Sequence, residues 1–266
     1  MTTLLTKKYA YAAATVLALG GTSCAEEVPI EPFFTTFDSF TQDEWYIADF
    51  KRKQPWFVTG WDYDQIHITD DEELELSLDP APINSGKLLR GGKVQRHAYS
   101  HYGRYEVAMT AARGNGVISA FYTYTGPYFN DPWDEIDFEF LGRDTTKVWV
   151  TRFADGERLP GSWLDLGFDA ADGHNLYTFD WTPDAIIWYV NGKEIFRVDA
   201  EDRTLPNTPS RILMSVWGGS EKQRNWSGVA PRNTSTTALY DCVSYVPLGE
   251  TGQQCSDLPA YNYSYE

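Results

Sequence analysis

One run of ten residues constrains this chain more than any other: Trp133-Asp134-Glu135-Ile136-Asp137-Phe138-Glu139-Phe140-Leu141-Gly142. Along an extended strand, successive side chains point to opposite faces. Glu135, Asp137 and Glu139 therefore share one face, while Ile136, Phe138 and Phe140 share the other. The apolar face fits a core between two sheets. The acidic face carries three like charges in a row, which repel one another and stabilise nothing by themselves. A merely solvated edge strand usually interleaves Lys or Thr among its acids, and none is interleaved here.

The rest of the chain repeats the period of two. Asp64–Thr69 and Glu73–Leu78 alternate, with acidic turns between them. Tyr102–Ala108, Val117–Tyr124, Lys147–Arg152, Tyr177–Trp181, Arg211–Trp217 and Thr237–Val246 continue the series. Asn191-Gly192 separates Ile186–Val190 from Lys193–Val198, and Asn-Gly between two such runs is a strong hairpin signal. No stretch keeps a 3.6-residue apolar stripe for three turns. Many short strands without intervening helices predict an all-β, antiparallel two-sheet sandwich. One domain over residues 33–248 is the economical organisation, after a leader at 1–24 and a linker at 25–32. The tail at 249–266 is expected to be peripheral.

The chemistry that uses such a row of acids is glycoside hydrolysis. A retaining enzyme needs one carboxylate as nucleophile and one carboxylic acid as proton donor, about 5–5.5 Å apart. Glu135 and Glu139 are four residues apart, so their Cα atoms stand roughly 13 Å apart on a flat strand. Two long side chains leaning together on a concave sheet close most of that gap. Asp137, shorter and between them, can orient Glu135 and couple the titration of the set. Two carboxylates need no catalytic cofactor. His67, His97, His101 and His174 have no ligand spacing, and His174 reads as a structural histidine on a strand lead-in.

Trp133 to Gly142 resembles the signature of glycoside hydrolase family 16, in the form carried by lichenases, the endo-β-1,3-1,4-glucanases. Tyr102–Val107, Phe121–Pro127, Gly142–Val148, Leu166–Asp169 and Trp188–Gly192 look like lichenase segments in the same order, so the resemblance covers most of residues 37–246. It implies a concanavalin A-like jelly roll with a concave sugar-binding cleft, retaining chemistry and endo cleavage of a polysaccharide. By matching positions, Glu135 is the implied nucleophile, Glu139 the general acid/base and Asp137 the assisting carboxylate. Trp133, Tyr124, Trp217 and Trp226 match cleft aromatics, and Tyr122 stands where the family has Phe. Asp241 matches a carboxylate that holds a structural calcium ion in relatives; a strand aspartate with no ion is the other reading.

The departures bear on the substrate. Lys51-Arg52-Lys53 occupies a loop where lichenases show Tyr, Ser and Asn. Lys93 and Gln95 replace Glu and Arg, Arg152 and Phe153 replace two Tyr, and Thr151 and Ser215 replace two Asn. Lys53, Lys93 and Arg152 are thus expected at the cleft, concentrating positive potential locally. An acidic or substituted, succinoglycan-like exopolysaccharide then rivals plain β-1,3-1,4-glucan as substrate. Transglycosylation uses the same covalent intermediate and stays open. A non-catalytic sugar-binding module is the competing class, which loss of either Glu would favour; both are present.

Formal net charge is −16, which argues against a nucleic-acid partner. Residues 1–24 read as a signal peptide, with Lys7 and Lys8, an apolar-leaning run of about 12 residues, and small residues leading to Cys24. That run is short of the ~20 residues that span a bilayer. Gly21-Thr22-Ser23-Cys24 looks like a lipobox, which implies membrane attachment through a lipid on Cys24. Ordinary cleavage nearby is the alternative. Either way the protein is expected to be secreted or held at the cell surface, and a monomer. Three cysteines are too few for a disulfide scaffold. Cys242 and Cys255 either pair, tying down the tail, or remain thiols.

Overall fold

The computed structural model describes residues 29–200 and 204–265. The expected leader and Cys24 lie outside the described residues. Two sheets face one another. The inner one runs, in spatial order, through Trp45–Ile47, Lys93–Arg96, Arg211–Gly218, Val117–Thr125, Asp134–Leu141 and Lys147–Ala154, and the short strands Glu157–Arg158 and Ser162–Asp165 both pair with the last. The outer sheet is built around Asn175–Trp181, Gly103–Thr110, Thr236–Pro247 and Leu74–Pro80. Every described pairing is antiparallel except Thr59–Trp61 with Leu89–Gly91. The fold is the expected all-β jelly-roll sandwich, and the strands read from alternation sit within a residue or two of their expected bounds.

The core forms where the apolar halves of these strands meet. Phe138 and Phe140 pack on Tyr177 of the outer sheet, with ring centroids 5.7 Å and 4.6 Å apart. Phe121 meets Phe179 at 5.9 Å, and all of these rings are fully buried. Aromatic pairs in such tilted and edge-on arrangements add stabilisation beyond the area they bury. Two polar ties bridge the layers. Trp188 donates Nε1–H to the Asp137 carbonyl at 3.3 Å, and the Tyr240 hydroxyl donates to the Ala120 carbonyl at 3.0 Å. A buried indole or phenol needs a partner, and here each partner is backbone of the sheet that carries the acids.

Asn191 and Gly192 form the expected two-residue hairpin, with φ of 49° and 80°. Those positive values are what a type I′ turn requires and why this dipeptide is there. Asp64–Thr69 departs from expectation. Only Ile66–Ile68 is strand, because Asp62 accepts from the Asp64 backbone N–H at 3.0 Å and caps a short 3-10 turn over Tyr63–Gln65.

The tail is not peripheral. Cys242 and Cys255 form a disulfide, and the tail lies along the outside of the outer sheet. There Cys255 and Tyr261 join Ala108, Leu176 and Cys242 in a small second core. Glu106, buried on that face, is satisfied entirely by the tail: the Ser256 N–H donates at 2.8 Å and the Tyr265 hydroxyl at 2.5 Å. The loop the disulfide closes spans 13 residues. Replacing both cysteines by Ser should lower stability by about 2–4 kcal/mol, read as a lower urea midpoint. An unchanged midpoint would mean that the tail docks as firmly without its covalent tie.

Candidate active site

The position of the acids follows from register. Val117–Thr125 and Lys147–Ala154 flank the carboxylate strand, pairing Glu135 with Tyr124 and Phe153, Asp137 with Tyr122 and Thr151, and Glu139 with Ala120 and Trp149. Directly paired residues share a face. Farther across the sheet, Ala120 pairs with Ser215 and Ser215 with Lys93. The inner sheet therefore turns one continuous surface toward solvent, with the three acids at its centre, tyrosines beside them and Lys93 toward one edge. Asp137 is 3% exposed; Glu135 and Glu139 are half-buried.

Trp133 is 36% exposed and lies flat on Phe153, with centroids 4.2 Å apart and planes 11° apart. Its indole N–H donates to Glu135 Oε2 at 2.5 Å. Trp217 stacks loosely between Phe57 at 5.4 Å and Trp226 at 6.2 Å, beyond the acids. Tyr122 and Tyr124 cluster with Leu213 and Ala120 beside them. All five aromatic residues expected at the cleft therefore belong to this surface or its rim.

The basic residues divide. Lys93 stands with its ammonium 5.4 Å from the Trp61 ring centre and 5.8 Å from that of Tyr122, close enough for its charge to act on Glu135. In the loop before it, Arg52 is the member whose charge reaches Glu135. Lys53 is exposed, and Lys51 turns away to donate to the Ser85 carbonyl at 2.8 Å. Arg152 is a correction. It pairs with Ile136, so it shares the core-facing side of the sheet; it is 2% exposed, with Nε 3.5 Å from the Thr204 carbonyl. A one-residue step along a strand reverses the face, and Phe153 holds the cleft side instead.

Asp134 carries a structural role that alternation alone does not reveal. Buried at the start of the strand, its carboxylate accepts from the backbone N–H groups of Asp155 at 2.8 Å and of Asn207 and Thr208 at 2.9 Å each. It ties two neighbouring loops to the strand that bears the acids. Asp241 accepts from the Tyr261 hydroxyl at 2.6 Å, and the described residues hold no group of three or more His, Cys, Asp or Glu that could bind a metal ion. His174 bonds Glu73 at 2.5 Å and Thr110 at 3.1 Å, the structural arrangement expected of it.

Burial raises the pKa of all three acids, but their partners differ. For Glu135 the rise is opposed by the Trp133 N–H, by a hydrogen-bonding interaction with Asp137, and by the charges of Lys93 and Arg52. Glu139 has only Arg158 against desolvation and the charge of Glu135, and is pushed up to about 8. Asp137 is raised well above the ordinary carboxylate range by desolvation and by Glu135 and Glu139 on either side. Burial therefore pushes Glu139 and Asp137 toward their protonated forms, while the partners of Glu135 oppose that push and favour its anion. That is an acid and a base side by side, made from identical side chains by unequal surroundings.

Residues 53–235 match the family model described as "Glycosyl hydrolases family 16". A beta-glucanase of Brevibacillus brevis is 36% identical over 232 residues, spanning 86% of this chain and 87% of that protein. The solved structure of the Bacillus licheniformis beta-glucanase superposes with a TM-score of 0.75 at 35% identity, covering 81% of this chain and 98% of that one. A prokaryotic beta-1,3-1,4-glucanase (lichenase) from a mouse hindgut metagenome gives a TM-score of 0.77 at 34% identity, covering 82% and 100%.

The raised pKa of Glu139 is also a statement about stability. Folded protein keeps this proton up to about pH 8, whereas the unfolded chain loses it near pH 4.3. The wild type therefore loses stability as pH rises through that window. Glu139→Gln removes the titration, so it should match the wild type near pH 4 and exceed it by a margin that widens as pH rises to 8. Urea melts at the two pH values measure this; a difference that does not grow with pH would mean that Glu139 is ionised in the fold.

Proposed function

The chain belongs to glycosyl hydrolase family 16 and is a glycoside hydrolase, and from that premise we propose that it cleaves internal bonds of a β-1,3/β-1,4-linked glucan by double displacement, with retention at the anomeric carbon. The observation that carries the assignment of roles is the unequal environment of Glu135 and Glu139.

Glu135 is the nucleophile. The Trp133 indole N–H, Asp137, Lys93 and Arg52 all favour its ionised form. Its carboxylate attacks the anomeric carbon and forms a glycosyl ester as the bond to the leaving oxygen breaks. Glu139 carries the proton that oxygen needs, because nothing comparable opposes its desolvation. Once the leaving sugar has gone, Glu139 is an anion and takes a proton from water, whose oxygen attacks the same carbon and releases Glu135. Asp137 gives a hydrogen bond to Glu135 and spreads its charge as it alternates between carboxylate and ester. Trp133, propped on Phe153, offers a flat apolar face to a sugar ring while holding the nucleophile by its N–H.

The leader read in residues 1–24 supports action outside the cell, free or attached through Cys24, where a polysaccharide too large to enter would be met. Both glutamates are present in unequal surroundings, which favours hydrolysis over a binding-only role.

Glu139→Gln should lower kcat on a polymeric glucan by roughly 10²–10⁴. With an aryl glycoside whose leaving group needs no proton, it should lose the alkaline limb of the pH–rate profile that the wild type shows near pH 8. Persistence of that limb would assign the proton to another group. Azide added to Glu139→Ala should give a β-glycosyl azide through the covalent intermediate, and azide added to Glu135→Ala the α anomer by direct displacement. Exchanged anomers would reverse the two roles.

A further inference from the structure

The chain carries 38 acidic and 22 basic residues, yet one end of the cleft collects cations that make no salt bridge. Here the rings of Trp56, Phe57, Trp61 and Trp217 pack together along the rim. Trp56 and Phe57 lie 6.1 Å apart, Phe57 and Trp61 5.7 Å, and Phe57 and Trp217 5.4 Å. A positive group sits over most of them: Lys222 4.9 Å from the centre of Trp56, Arg52 5.3 Å from that of Phe57, and Lys93 5.4 Å from that of Trp61. Among the described residues none of these three has a carboxylate within 4.0 Å, although Arg90, Arg104, Arg113, Lys147, Arg197 and Arg224 all do.

Cation–π contact stabilises an exposed pair by about 0.5–1 kcal/mol, which accounts for the position of each group singly. It does not account for their being together. Lys93, set into the sheet surface, is desolvated, and Arg52 repels it, while the charge of Glu135 favours its ammonium form. Like charges held near one another raise the free energy of the empty protein, and an anion between them lowers it. The rings beneath present faces on which a sugar can stack. An aromatic strip topped with cations that no carboxylate contacts directly suits a ligand that is at once a sugar and an anion.

We infer that this end of the cleft is a subsite for an acidic group carried on the glycan, a carboxylate or a sulfate ester, with Arg52, Lys93 and Lys222 as its recognition groups. The inference rests on the proposed function in taking the cleft to hold a β-glycan backbone, and it narrows the substrate to an acidic polymer. The three acids at the centre of the sheet disfavour an anion directly over the scissile bond. The charged substituent therefore belongs on a sugar removed from that bond, toward Lys93.

The test uses binding, so that it does not depend on turnover. Glu139→Gln enzyme is titrated, by tryptophan fluorescence, with barley mixed-linkage β-glucan, its carboxymethyl derivative and its sulfated derivative. Salt is set at about 0.1 M and about 1 M, between which the Debye length falls from ~10 Å to ~3 Å. At low salt at least one charged polymer should bind about tenfold more tightly than the parent, equivalent to about 1.4 kcal/mol, and the advantage should largely vanish at high salt. Whether the carboxymethyl or the sulfated polymer gains more identifies the acid. Arg52→Gln with Lys222→Gln should bring the charged-to-neutral ratio close to one, whereas Lys193→Gln, on the exposed hairpin of the outer sheet, should leave the ratio as it is. Equal binding of all three polymers at low salt, or a preference insensitive to salt or to the double substitution, overturns the inference. Hydrolysis of the neutral glucan by wild-type enzyme is a separate readout, and its failure would count against the proposed function instead.

Discussion

Three carboxyl groups in a row on a half-buried sheet surface oppose folding, and the rest of the molecule is arranged around holding them there. What holds them is the reverse side of the same strand. Ile136, Phe138 and Phe140 are completely buried against the outer sheet, and full burial of a large apolar side chain contributes about 1.5–3 kcal/mol. The backbone between acids and aromatics is tied as well, by the Trp188 indole to the Asp137 carbonyl and by Asp134 to two loops. The acids are thus fixed by groups that never touch them, and their chemistry can be tuned from the open side without loosening the sandwich.

That tuning uses few groups. Glu135 and Glu139 have the same side chain, share one strand and suffer similar desolvation. They part because Trp133, Asp137, Lys93 and Arg52 crowd the first and only Arg158 reaches the second. The asymmetry follows from strand direction. Glu135 lies beside the start of the strand, where Trp133 can turn back on it two residues away. Glu139 lies four residues on, beside Ala120, whose methyl offers no hydrogen bond.

How much of this is legible in the sequence depends on the range of the interaction. Alternation is local, so the strands, the two faces of Asp134–Leu141 and the Asn191-Gly192 hairpin can all be read directly. The three acids can be read for the same reason, since they share one strand. Register between strands is not local. Arg152 looks like a cleft residue by position along the chain, and only its pairing with Ile136 shows that it faces the core. The tail is hidden for a stronger reason. Tyr265 reaches Glu106 across 159 residues, and a polar, tyrosine-bearing terminus has the composition of a surface segment until a buried carboxylate needs its hydroxyl. The cations divide likewise. Lys51, Arg52 and Lys53 are equivalent as a run, and their side chains separate only when Ser85 captures the first and Phe57 the second.

The distribution of charge gives the active surface a direction. A strongly acidic chain repels anionic polymers at long range, yet salt confines that repulsion to about 10 Å at 0.1 M. Inside that distance the local arrangement governs. Across the inner sheet the potential runs from the carboxylates on Asp134–Leu141 to Lys93, three strands away. Lys93 and Arg52 act at both ends of this gradient, because the same charges that would attract a distant acid also help keep Glu135 ionised. Binding an anion there would partly neutralise that help and raise the pKa of the nucleophile. Recognition at the rim and reactivity at the centre are therefore coupled through two side chains. A charged substituent close to the scissile bond would weaken the nucleophile it needs, so the geometry favours acidic groups set one or more sugars away.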